Sequence, residues 1–348
     1  MNGPRIVLHM GTHKTGSTSI QQTLWRARPD GIGLPRGTKA NQSDLARLLF
    51  EEGDRLEQFR LSRMGGADRA TLDKTRSEAR TRLSRDLERC RAPVFVFSAE
   101  DMTAPDFPKE AVARAAAFFG RFSDRIEAVA YVRPPLAFMT SAYLQRLREL
   151  KPSALDFAPE TLWPNYRDRF EKLDTVFGPE AVTLRAFDRA TLEGGDVVRD
   201  FLGLVDPALA QTIPVLRSND ALSLPALSLL YARLAVEAEE DAGFTPEETS
   251  RLGGLVARRL RPLTGPRLVI DPGVLAPVRD AHAEDLAWME ARLGRALPDA
   301  PIGDGLRDPR AMLDIAREAL PLTATLPDPG RASLPRRLWR RLRNMARA

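Results

Sequence analysis

The stretch Gly11-Thr12-His13-Lys14-Thr15-Gly16-Ser17-Thr18 gathers residue types suited to holding an anion. Two glycines bound a loop between a short apolar run, Ile6-Val7-Leu8, and an amphipathic segment that starts near Ser17. A loop that opens a helix leaves backbone N–H groups facing outward, and the helix terminus adds partial positive charge. Lys14 contributes a mobile point charge, and Thr15, Ser17 and Thr18 contribute hydroxyl donors. Gly11 and Gly16 keep the spacing of the G-x-x-x-x-G-K-[ST] phosphate loop, but Ser17 stands where that pattern has lysine. Lysine is scarce here, 6 against 46 arginines, so Lys14 inside the loop is a pointed choice. The pattern is a phosphate loop with a displaced lysine.

A second anion clamp follows in Tyr131-Val132-Arg133-Pro134-Pro135 with Ser141 eight residues after Arg133. Arg133 falls just past a strand-like run, at the sheet edge where ligands of open α/β sheets bind. An arginine fork and a serine hydroxyl about two helical turns on can hold a phosphate monoester. Alone, such an arginine is as readily an ion-pair partner. Two anion sites in this order describe a ligand with an anionic group at each end.

In these two motifs the chain resembles sulfotransferases that use 3′-phosphoadenosine 5′-phosphosulfate (PAPS). Residues 9–18, HMGTHKTGST, are similar to that family's 5′-phosphosulfate loop, with Lys14 at its lysine position, and residues 131–141, YVRPPLAFMTS, to its 3′-phosphate motif. Ser98-Ala99-Glu100-Asp101, Phe187-Asp188-Arg189 through Gly195-Asp196, and Arg217 to Ser223 resemble the bacterial, carbohydrate-sulfotransferase-like branch. The likeness spans about residues 5–203, thins to about 294 and ends there; Pro135 departs from the pattern at a helix start, where proline is tolerated.

The resemblance implies sulfuryl transfer from PAPS to a hydroxyl or amine, leaving PAP, with no metal. It implies that Lys14 stabilises charge on the leaving phosphate oxygen and that the N–H groups of 15–18 hold the 5′-phosphate. The cofactor residues are then Lys14, Thr15, Gly16, Ser17, Thr18, Arg133 and Ser141. A general base is also required. Glu100 is the first choice because it follows the apolar run 94–98 and so reaches the same edge; Asp101 and His13 are alternatives. His9 reads as structural, and His282 as surface or core. The acceptor implied is a carbohydrate, polysaccharide or glycolipid. Two other readings stay open: a P-loop kinase or NTPase with displaced lysine, and a non-catalytic PAP-binding protein.

Positioning these residues requires strands at 5–10, 94–98, 126–132 and 181–187. Between them helical periodicity marks 17–28, 43–62, 67–91, 108–122, 135–150 and 164–177, with a short helix running to Leu202. Residues 29–42 read as loop, and the charged segment 67–91 as a solvated helix. The alternation predicts a P-loop-NTPase-like three-layer α/β fold, a mostly parallel sheet between helices, with a C-terminal helical region at 220–240, 246–261, 275–294 and 309–319. The expected organisation is a core over 1–205 with a helical insert at 29–92, an acceptor-side extension over 206–330, and a tail over 331–348.

Cys90 is the sole cysteine, so disulfide frameworks and multi-cysteine zinc sites are excluded, and with three histidines a His-rich metal site is not expected. No run approaches a membrane span, and residues 1–5 open no signal-like apolar region, which reads as cytoplasmic. The net charge of +5 invites a nucleic-acid reading, but seven arginines and no acid lie in 331–348. Taking those seven from the 52 basic residues leaves 45 against 47 acidic ones, so the body is about −2. The tail, SLPRRLWRRLRNMAR, aligns Leu334, Leu338, Leu342 and Met345 on one helical face between arginines, a pattern suited to peripheral contact with an anionic membrane.

Overall fold

The run Ile6–Met10 is apolar on both sides except at His9, and such a strand belongs inside a sheet. The computed structural model describes residues 3–12, 15–37, 39–216, 221–240, 259–299 and 305–325. It contains β1 (Arg5–Gly11), β2 (Ile32–Gly33), β3 (Val94–Ser98), β4 (Ile126–Val132) and β5 (Val182–Ala186) in the spatial order β2-β3-β1-β4-β5. All pairings are parallel. Burial follows that order: β1 and β3 are covered on both faces, and the edge strand β5 only in part. The register sets His9 beside Ser98 and Gly11 beside Tyr131.

The helices are α1 (Ser17–Ala27), α2 (Ser43–Phe50), α3 (Gly53–Arg63), α4 (Arg69–Glu88), α5 (Lys109–Phe119), α6 (Pro135–Arg148), α7 (Tyr166–Phe177), α8 (Val197–Val205), α9 (Pro207–Thr212) and α10 (Leu224–Glu240), followed by helices Pro272–Ala281, Ala283–Leu293 and Met312–Ala319. Side chains alternate across a strand. On one face Val7, Val96, Val129 and Tyr131 pack with Ile20 and Leu24 of α1 and Phe201 and Leu202 of α8. On the other, the Phe97 ring meets Phe119 of α5 at 5.2 Å, and Phe50 of α2 meets Phe119 at 6.0 Å. The chain thus adopts the expected three-layer arrangement, with the glycine-bounded loop between central strand and first helix. Beyond residue 205 the described elements are helical apart from one bridge, Ile270 to Leu306.

Some local expectations change. Residues 29–42 hold the two-residue β2, too short to show a strand pattern. The helix expected over 43–62 breaks after Phe50, where Glu51 is extended and Gly53 has φ 57°. There the carbonyls of Leu49, Phe50 and Glu51 accept hydrogen bonds from Arg76, Arg80 and Arg114. α4 is therefore not merely solvated: Leu72, Ala79, Leu83 and Leu87 form a buried stripe, and two of its arginines cap α2. The segment 275–294 is two helices, the span 246–261 lies mostly outside the described residues, and 309–319 is a 3-10 turn leading into Met312–Ala319.

The chain divides into two compact units, interleaved in sequence. The first takes the described residues within 1–134, 164–218 and 283–298, the second those within 135–163, 219–282 and 299–348. In the first unit, Asp285 accepts from the backbone N–H groups of Tyr166 and Arg167, both at 2.8 Å, and caps α7. Arg292 closes the same helix from its other end, reaching Asp174 at 2.8 Å and the Val182 carbonyl at 2.8 Å. In the second unit, Asp299 caps α6 through the N–H groups of Leu136 at 2.9 Å and Ala137 at 3.3 Å.

One buried carboxylate ties α8 to the sheet. Asp200 accepts two bonds from Arg185 of β5, both 2.6 Å, and one from the Tyr131 hydroxyl of β4 at 2.7 Å. The backbone N–H of Glu193 adds a fourth at 3.1 Å. Removing one partner of a buried charged set leaves the other uncompensated. Asp200→Ala is expected to lower unfolding stability by about 3 kcal/mol in urea. Tyr131→Phe, which removes one of the four bonds, is expected to cost about 1 kcal/mol.

Candidate anion-binding site at the sheet edge

β1 ends at Gly11 and α1 starts at Ser17. Thr12 turns the chain back on β4, its N–H and its hydroxyl each 3.3 Å from the Tyr131 carbonyl. Thr15 donates its hydroxyl to the Thr12 carbonyl at 2.7 Å, so it braces the loop rather than facing outward. What Thr15 can present to an anion is its backbone N–H. Gly16 is left-handed, with φ 80°, and a Cβ there would stand 2.4 Å from Val197 Cγ1. The glycine is thus required twice, by dihedral and by space. The first turn of α1 has no acidic residue and no side-chain cap. Ser17 is buried with its Oγ unpartnered, while Thr18 is exposed. An uncapped helix start beside a buried, unsatisfied hydroxyl is chemically matched to a phosphate oxygen. His13 and Lys14, between Thr12 and Thr15, lie outside the described residues.

The second motif reaches the first through Phe187. Arg133, one residue past β4, holds its guanidinium 5.8 Å from the centre of the Phe187 ring, and burial pushes its pKa down. The same ring lies 3.6 Å from the position a Gly16 Cβ would take. Phe187 is fixed by its N–H, which donates to the Val132 carbonyl at 2.7 Å. The Arg133 carbonyl accepts from the Tyr166 hydroxyl at 2.6 Å. Ser141 is buried on α6, within the second unit.

The end of β3 supplies the carboxylates. Glu100 and Asp101 open a 3-10 turn, Glu100–Thr103. The Thr103 hydroxyl is 2.8 Å from the Gly11 carbonyl and 3.0 Å from the Glu100 carbonyl, so it pins this turn to the start of the phosphate loop. Asp101 is engaged by Arg47 at 2.8 Å, and Arg47 also holds Glu51 and Asp106. Glu100 accepts from Asn41 Nδ2 at 3.0 Å. Asp101 is therefore an anchoring carboxylate. From α7, Lys172 reaches the carbonyls of Ala104 and Phe107, both at 2.6 Å, and brackets the turn from behind. Burial brings that lysine's pKa down to about 8.

His9 shares a 2.7 Å hydrogen bond with Ser98 and packs its ring on Phe201 at 4.8 Å. It is structural, as its place on the strand suggests. His282 stacks on Trp163 at 4.8 Å in the second unit. Thr103, Asn41 and Arg47 carry no motif signal, because their roles depend on chain segments dozens of residues away. The likeness noted at Arg217–Asp220 lies outside the described residues. Among the described residues, no group of three or more His, Cys, Asp or Glu is placed to hold a metal ion. No described helix is long and apolar enough to cross a membrane.

Burial holds the His9 imidazole at about 3, below its ordinary 6.5. Between those values the unfolded chain binds more protons than the native one, so stability falls as pH drops from about 6.5 towards 3. His9→Gln is expected to flatten that part of the stability–pH curve in denaturant titrations, whatever its effect at neutral pH. Gly16→Ala is expected to weaken phosphate-ligand binding and to lower the melting temperature together, since the added methyl displaces Val197.

The chain matches no protein-family model and no curated protein. Among solved structures it is similar to a sulfotransferase from Alicyclobacillus acidocaldarius, at 14% identity and a TM-score of 0.41, covering 85% of this chain and 98% of that one. It is also similar to the sulfotransferase domain from the curacin biosynthetic pathway, at 14% identity and a TM-score of 0.36, covering 62% of this chain and 76% of that one.

Proposed function

We propose that this protein is a sulfotransferase that moves the sulfuryl group of PAPS to a hydroxyl or amine of a carbohydrate, polysaccharide or glycolipid acceptor. The observation that carries the reading is the buried, unpartnered Ser17 hydroxyl at the uncapped start of α1, joined through Phe187 to Arg133. The residues present fit a ligand with two separated anionic groups.

In this reading PAPS, when bound, supplies the activated sulfuryl group. The N–H groups of residues 15–18 and the Ser17 hydroxyl hold its 5′-phosphate, and Arg133 holds its 3′-phosphate. Glu100 takes the proton of the acceptor hydroxyl as that oxygen bonds to sulfur. Lys14 balances the charge that gathers on the departing phosphate oxygen, whose bond to sulfur breaks. The protein's part is positioning and charge stabilisation, as in phosphoryl transfer.

Calorimetry with PAP is the direct test: binding is expected, and its absence overturns the reading. Magnesium-dependent binding of ATP or GTP without PAP would point instead to a kinase with a displaced lysine. PAP binding without turnover on any acceptor would mark a non-catalytic binder. Arg133→Ala is expected to weaken PAP binding about 10- to 100-fold. Lys14→Ala is expected to lower transfer by about 100-fold or more while the protein stays folded. Glu100→Gln should cost about 100- to 10,000-fold in rate with PAP affinity kept.

For the tail, which lies outside the described residues, the same proposal is peripheral membrane contact. Sedimentation with anionic liposomes should be lost on deleting 331–348, and a full-length chain that ignores such liposomes removes the idea.

A further inference from the structure

Residues 41–43 lie against the end of β3, and each of them is tied to it. Gln42 donates its N–H to the Ser98 carbonyl at 2.8 Å, the Asp101 N–H donates to Ser43 Oγ at 3.1 Å, and Asn41 Nδ2 donates to Glu100 Oε1 at 3.0 Å. Gln42 and Ser43 are buried, and Gln42 Nε2 reaches the Lys39 carbonyl at 2.7 Å, so the backbone that carries Asn41 is held in place. The Asn41 amide is also fixed about its own axis. Its Oδ1 accepts the Ser43 N–H at 2.8 Å, and only the oxygen end of an amide can take that bond. The NH2 end therefore faces Glu100. The plain role for such a side chain is to cap α2, whose own cap residue, Gln42, makes no side-chain bond to the helix. That role uses Oδ1 alone, and an aspartate would serve it as well. The donor end has no part in it.

We propose that Asn41 is a positioning residue for the candidate base, its amide N–H holding one oxygen of the Glu100 carboxylate so that the group meets the acceptor in one orientation. That Glu100 is the base rests on the proposed function; that Asn41 holds it does not. A carboxylate accepts at two oxygens with about four lone-pair sites, so one donated bond directs it and leaves capacity for a proton. A general base must lie within hydrogen-bond reach of the proton it takes, and a flexible glutamate has to be fixed there. A bond donated to a carboxylate also favours the ionised form, the one able to accept a proton. The described charges nearest in the chain, Asp101 and Lys39, are paired with Arg47 at 2.8 Å and Asp44 at 2.6 Å. Asn41 adds direction to this edge without adding charge.

The test is carboxyl carbon-13 NMR on the full chain labelled at glutamate, with Glu100→Gln used to assign the Glu100 signal. Asn41→Asp keeps an acceptor for the Ser43 N–H and replaces the donor with a second carboxylate, whereas Asn41→Ala removes both. The titration midpoint of Glu100 is expected to rise by about half to one pH unit in Asn41→Ala, and further in Asn41→Asp, where two carboxylates face each other. A residue that only caps α2 predicts the reverse, with Asn41→Asp unchanged and Asn41→Ala altered. PAP release from PAPS is then followed against pH with methyl glucoside, galactoside and mannoside as acceptors. Both variants are expected to lower kcat about ten-fold and to move the acid limb of the profile upward, with KM for PAPS kept. Circular dichroism melts show which variants fold, and Asn41→Ala carries the test if Asn41→Asp does not. The inference is overturned if the Glu100 midpoint stays in place in a folded variant, or if kcat and its pH profile match those of the wild type. A wild-type chain that binds no PAP sinks the sulfotransferase reading instead, and the NMR midpoints still decide whether Asn41 holds Glu100.

Discussion

The Asp200 carboxylate fixes one helix, and the candidate site depends on where that helix lies. By accepting from Arg185 on β5 and Tyr131 on β4, it holds α8 against two neighbouring strands. The same face of α8 then presents Val197 and Phe201, three residues before and one after. Val197 sits where a Gly16 side chain would be, and Phe201 covers His9. Loop and central strand are thus shaped by a helix whose position is set electrostatically rather than by apolar contact alone. A paired carboxylate tolerates little displacement, because moving it strands charge in a dry place. Such an ion cluster therefore keeps α8, and with it the loop packed on Val197, in one geometry.

A similar economy governs the other side of the sheet edge. The Thr103 hydroxyl touches the carbonyls of both Gly11 and Glu100, so the phosphate loop and the candidate base share one fixed point. Arg47 takes up Asp101, Asp106 and Glu51, and Glu100 accepts from the Asn41 amide.

What could be read from the sequence was local. Gly11, Gly16 and Ser17 mark a loop that opens a helix because backbone geometry and helix termini act over a few residues. The both-sided apolar runs at 6–10 and 94–98 mark central strands for the same reason. The two-residue β2 carries too little pattern to see, and the break after Phe50 is set by arginines on α4 and α5 that no window around it contains. Phe187 falls in a segment whose likeness was visible, but its place between Gly16 and Arg133 needs β5 to lie beside β4. Likewise the pairing of Asp101 is decided by Arg47, more than fifty residues earlier in the chain. Chemistry confined to a motif is legible; chemistry assigned by packing is not.

The interleaving of the first unit bears on how the chain comes to be folded at all. The glycine-bounded loop after β1 is made well before residue 283, yet α7, which braces the turn after β3, is capped by Asp285 and closed by Arg292. During synthesis from the N-terminus, strands β1 to β5 emerge well before those two side chains exist. Contacts so distant in sequence are slow to form, since a long loop must be closed before they contribute. A nascent chain halted before residue 283 would carry its ligand loop on an unfinished scaffold, with α7 uncapped and apolar surface exposed to chaperones. The scaffold under the loop after β1 is therefore completed by side chains made more than 250 residues after it.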